Sequence, residues 1–125
     1  MFCFTAKTVY SYPQIVWYHF RQLMTIGKFS FRNRREPMWK NNNPTRFDFV
    51  GTGDEETSDC SKQTWTTIKS VGNVIWNNHD QEKTWFIEEE DRKEFMCFGI
   101  RILGITDGGT FAALQDIKMW TGERT

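Results

Sequence analysis

The sequence predicts an α+β domain, a curved antiparallel sheet with helices packed on one face. Two segments open on capping residues and then space their apolar side chains as a helix does. Several shorter runs alternate apolar with polar residues, as half-buried strands do. The last third reads as two long strands around an Asp-Gly-Gly turn.

Ser11-Tyr12-Pro13 supplies a capping side chain and a proline for a first turn, and Ile15, Val16, Phe20, Leu23 and Met24 follow at helical spacing. The first helix is predicted to run to about Thr25, with Gly27 just past its end. Phe29 and Phe31 alternate with Lys28, Ser30 and Arg32, a half-buried strand. Residues 34–44 form an Asn-rich loop around Trp39, where Pro37 fixes the backbone and cannot donate to a ladder. Phe47 and Phe49 begin a second strand, which Gly51-Thr52-Gly53 closes. Ser58-Asp59 caps a second predicted helix whose apolar stripe is Trp65, Ile68, Val71 and Ile75. Lys83 to Ile87 is a short strand, and Phe95 to Ile105 is the longest strand pattern in the chain. Asp107-Gly108-Gly109 turns it into Thr110 to Trp120, read as its hairpin partner.

The 125 residues fit one domain, residues 1–125. An aromatic content of 16% argues against disorder. A net charge of zero argues against coating long nucleic acids, which requires many uncompensated cations. It leaves room for a single nucleotide held by stacking. Cys3, Cys60 and Cys97 are odd in number and irregular in spacing, so they suggest neither a disulfide framework nor zinc ligands. That favours a reducing, cytoplasmic setting. No basic-then-apolar leader and no run of membrane-spanning length is present, so no membrane partner is expected. The run Glu88-Glu89-Glu90-Asp91 reads as a solvated loop.

No enzyme signature emerges and no cofactor motif stands out. Gly51-Thr52-Gly53 lacks the lysine and the spacing of a phosphate loop. His19 has no evident partner, and His79-Asp80 reads as a surface pair.

Several blocks taken together resemble the eukaryotic translation initiation factor 4E family, which binds the mRNA cap. They are Ile15-Val16-Trp17-Tyr18-His19-Phe20, Phe29-Ser30-Phe31, Glu36-Pro37-Met38-Trp39, Arg46 to Val50 and Ser58-Asp59 with Trp65. Cys97-Phe98-Gly99-Ile100-Arg101 and Asp116 to Glu123 complete the series. The resemblance implies a cap-binding module for capped mRNA or a 7-methylguanine nucleotide, in a divergent or truncated member. Trp39, Tyr12 and Trp120 would stack on or flank the methylated base, gaining a cation–π term. Arg101 and Lys118, on the two arms of the predicted hairpin, would hold the phosphates. Trp17, Ile68 and Val71 would dock a helical partner peptide of the scaffold or binding-protein kind. Lys40 stands where the family has a base-reading glutamate, and an ammonium accepts no hydrogen bond. Two alternatives stay open: a protein-interaction module without cap binding, and a cone-shaped α+β small-ligand domain or hydratase/isomerase using His19 or Asp48.

Overall fold

A computed structural model describes residues 2–4, 8–11, 14–33, 42–106 and 111–122. They form two antiparallel sheets facing one another, not a sheet covered by helices. The strands are β1 (Phe2–Phe4), β2 (Thr8–Ser11), β3 (Gln14–Met24), β4 (Ile26–Arg32) and β5 (Pro44–Thr52). They continue with β6 (Thr66–Val71), β7 (Glu82–Phe86), β8 (Phe95–Ile105) and β9 (Phe111–Thr121). Among the described residues, helical structure is confined to two single 3-10 turns, Cys60–Lys62 and Glu89–Asp91. The α+β expectation is therefore corrected to an all-β sandwich.

One sheet runs β1-β9-β4-β7, with β2 continuing the edge of β9 beyond β1. The other runs β3-β8-β5-β6. The links β1–β2 and β5–β6 stay within a sheet, and every other link carries the chain across to the opposite one.

Both predicted helices are corrected by this arrangement. The segment 14–24 is β3, whose Val16 and Phe20 are buried in the inter-sheet core with Tyr18 packed beside them. Its run Ile15 to Phe20 is entirely β-branched, aromatic or His, which suits a pleated surface better than a helix. A helical spacing appeared because the outward residues are apolar too, and a register shift between His19 and Met24 breaks the strand's two-residue period. The segment after Ser58 holds only a 3-10 turn, capped by the Asp59 carboxylate on the Ser61 amide, and then β6. Ile68 and Val71 turn to the core, while Ile75 of the supposed stripe is 71% exposed.

The strand expectations at 28–32, 47–49 and 83–87 fall within or overlap β4, β5 and β7, and that at 95–105 coincides with β8. The hairpin pairing does not hold. β8 pairs with β3 and β5, whereas β9 pairs with β1, β2 and β4. The turn at 107–109 lies outside the described residues.

The core between the sheets is aromatic. Phe29 stacks on Phe49 with ring centroids 4.3 Å apart and meets Phe47 edge-on at 6.0 Å. Phe31 and Trp85 close this group from the β4–β7 side. Ile26, Ile100, Ile102, Ile117 and Met119 fill the rest. The indole N–H of the buried Trp76 donates to the Pro44 carbonyl at 2.7 Å, which satisfies its one polar group.

A second, smaller apolar cluster lies outside this core. Cys60, Cys97 and Met96 are buried there, with Trp17, Leu23 and Trp65 packed around them. Cys60 and Cys97 form a disulfide across 37 residues, with Cα atoms 6.5 Å apart. The expectation of no disulfide is thus corrected. Spacing in the sequence could not reveal a bond between a loop and a strand that only the fold brings together.

Candidate binding face

The outward surface of the five-stranded sheet is built by alternation along β4. Phe29 and Phe31 point to the core, so Lys28, Ser30 and Arg32 point away from it. Register then sets their neighbours. Lys28 lies between Trp120 on β9 and Phe86 on β7, and Ser30 lies between Lys118 and Thr84. Arg32 lies beside Glu82.

At one end of this face, the Lys28 ammonium sits 4.2 Å from the Trp120 ring centroid and 5.7 Å from that of Phe86. This is cation–π geometry on both sides. Phe86 is 64% exposed, a large ring left in water. The other end is ionic. Lys118 Nζ donates to Glu82 Oε2 at 2.9 Å. The Arg32 guanidinium lies 3.7–3.9 Å from carboxylate oxygens of Glu82, Asp116 and Asp80. Between the two ends the Ser30 hydroxyl is fully buried, with no hydrogen-bond partner among the described residues. Among the described residues, this face thus carries three cations (Lys28, Arg32, Lys118) and three carboxylates (Asp80, Glu82, Asp116), the last three held by Arg32 and Lys118. Among the described residues of this face, Lys28 is the cation that no carboxylate pairs.

Asp116 owes its position to a bulge. Ser30 pairs with Lys118 but Arg32 pairs with Gln115, so β9 carries an extra residue there, and Asp116 takes φ 51°. Gln115, beside Arg32 on the same side of the bulge, is buried, and its amide donates to the Asn33 carbonyl and to Asp80 Oδ1, both at 3.0 Å.

The residues named from sequence divide around this face. Trp120 and Lys118 both belong to it, two residues apart on β9. Arg101 does not. It lies on β8 in the other sheet, where its Nη2 donates to Asp48 Oδ2 at 3.1 Å and to Thr67 Oγ1 at 2.8 Å. Asp48 also accepts from Ser70 at 2.8 Å. Arg101 and Lys118 therefore sit in separate sheets, each already paired with a carboxylate, and are not the two arms of one hairpin.

The partner-docking trio is also divided. Trp17 packs beside Trp65 in the outer cluster, at 5.9 Å between centroids, while Ile68 and Val71 pack on the inter-sheet core. They are strand residues, not one helical stripe. Tyr12, Trp39 and Lys40 lie outside the described residues. His19 adjoins the disulfide, and Asp48 is bound to Arg101, so the pair does not converge on a pocket. The acidic run at 88–91 is exposed, as its composition suggests.

Sequence reasoning did not bring Lys28, Phe86, Glu82 and Arg32 together as a candidate face. The alternation of β4 was legible, but the residues that flank Lys28 come from strands distant in sequence.

No protein-family model matches the chain, and no curated protein matches it in sequence. Among solved structures, it is similar to the C-terminal domain of a chitobiase from Bacteroides fragilis, at 18% identity and a TM-score of 0.48, over 82% of this chain. The chain matches 60% of the length of that structure.

Proposed function

We propose that this chain is a non-catalytic recognition module that binds an acidic saccharide on the outer face of its five-stranded sheet. The observation that carries the reading is the row Trp120–Lys28–Phe86, an ammonium held between two aromatic rings with no carboxylate on it among the described residues. A sugar ring offers an apolar C–H face to such rings. Its hydroxyls both donate and accept, and the neighbouring Lys118, Glu82 and Arg32 do the same between them. A ring bearing one carboxylate would pair with Lys28. The near balance of charge elsewhere on the face favours one anionic group over a triphosphate. The surface is open, and a binding site of this kind gains its affinity from a few aromatic contacts.

A second reading retains the cap nucleotide. It is favoured by Trp120, Lys118 and Glu82 sharing one face, since these are an indole, a cation and a carboxylate acceptor. One titration separates the two. Tryptophan fluorescence is followed while uronate oligosaccharides, their neutral counterparts, 7-methyl-GTP and GTP are added. Saturable quenching selective for the uronates, lost at least about 10-fold in Trp120→Ala and Lys28→Met, is expected. Quenching selective for 7-methyl-GTP over GTP would put the cap reading in its place. No saturable change with any of the four would sink both.

A further inference from the structure

His19, Cys60 and Cys97 meet at one point of the fold. His19 and Cys97 are cross-strand partners on β3 and β8, which places their side chains on the same face of the four-stranded sheet. Cys60 comes from the 3-10 turn that covers this end of the sheet. An imidazole nitrogen and the two sulfurs all lie within 4.8 Å of one another. Both cysteines are fully buried, while His19 is half-buried and gives access from solvent.

We infer that reduction of the Cys60–Cys97 disulfide opens a zinc site made by the two thiolates and the His19 imidazole. Two sulfur ligands and one nitrogen are the set that Zn2+ prefers, with water free to take the fourth tetrahedral position. Tetrahedral zinc ligands at about 2.0–2.3 Å from the metal lie roughly 3.3–3.8 Å from one another, so the freed sulfurs must move apart and the imidazole, now within 4.8 Å of them, needs only a small shift to complete the set. A trialkylphosphine cleaves the S–S bond, takes oxygen from water as it becomes the phosphine oxide, and leaves two thiols. Zn2+ then forms two Zn–S bonds and releases two protons. Cellular dithiols would supply the same two electrons. The site would hold a disulfide in an oxidising setting and a metal in a reducing one.

The outer cluster gives both forms the same shell. Trp17 and Trp65 pack over the sulfurs and keep bulk water from them. The Asp59 carboxylate, next to Cys60, accepts from the Ser61 amide and hydroxyl and so caps the turn that presents Cys60.

The test uses the full chain with Zn2+, and with Co2+ as its coloured stand-in. In phosphine, Co2+ is expected to give thiolate charge-transfer bands and tetrahedral d–d bands, both bleached by Zn2+. Without reductant neither should appear. His19→Ala should weaken Co2+ binding by at least about 10–100-fold, and Cys60→Ser should abolish the thiolate bands of a bidentate sulfur pair. Thermal melting in phosphine with and without Zn2+ covers loss of structure on reduction. A reduced chain that refolds or melts higher with Zn2+ supports the site. A reduced chain that shows no bands, or stays unfolded with Zn2+, overturns it.

Discussion

Gly99 shows how a single position in a strand can govern the distance between neighbours. A Cβ there would lie 2.6 Å from the Val16 carbonyl oxygen and 2.7 Å from Trp17 Cβ. Both are on β3, which pairs with β8 at this point through Trp17 opposite Gly99. The obstacle is backbone, which cannot swing aside as a flexible side chain can. Gly99→Ala is expected to destabilise the fold by about 1–3 kcal/mol, measured as a lower urea midpoint with the slope unchanged. In the sequence Gly99 was legible only as one member of a Cys-Phe-Gly-Ile-Arg block. A glycine inside a strand does signal a close approach. What approaches it is decided by the partner strand, some 80 residues away in sequence. The same holds for Lys28, whose aromatic neighbours come from β7 and β9.

Among the elements, β9 carries the most consequence per residue. Its bulge at Asp116 aims one acid at Arg32 and buries the Gln115 amide. Asp tolerates the left-handed backbone that φ 51° requires, while a β-branched residue does not. Asp116→Val is expected to cost about 1–2 kcal/mol more than Asp116→Gly in chemical denaturation, because Gly keeps the bulge. Equal losses from both would place the cost in the Arg32 contact instead. Strands β4, β5, β7 and β8 were readable because one of their faces is apolar or because the apolar run is long and bounded. Strand β3 was not, since the outer cluster makes its second face apolar as well. Strand β6 was hidden for a different reason. Ser58-Asp59 is a real cap, but the turn that it caps ends at Lys62.

At the scale of the molecule, the disulfide ties the long β5–β6 connection to β8. Closing a loop of 37 residues restricts the unfolded chain by about 4 kcal/mol in the chain-entropy model. The paired variant Cys60→Ser with Cys97→Ser, compared with the oxidised chain in urea without metal, is expected to lose that order of stability. A loss under about 1 kcal/mol would mean that the packing of Trp17 and Trp65 alone holds this corner. The overall architecture was the least legible level. An Asp-Gly-Gly turn between two long strand patterns is a sound hairpin signal, yet here the strands on either side join opposite sheets. Local chemistry specifies a change of direction, and burial of both apolar faces decides which sheet receives the returning strand.

The crossing links have a kinetic consequence. Among the described strands, apart from β5–β6 and the short β1–β2 edge, none has its successor in the same sheet, so most ladders join segments far apart in the chain. Large loops must close before those ladders return any energy, and domains of this contact order fold on the scale of milliseconds to seconds. During that interval Phe29, Phe47, Phe49 and Phe98, all fully buried at the end, lie open to other chains. The yield of this protein on refolding should therefore depend on dilution as much as on its final stability.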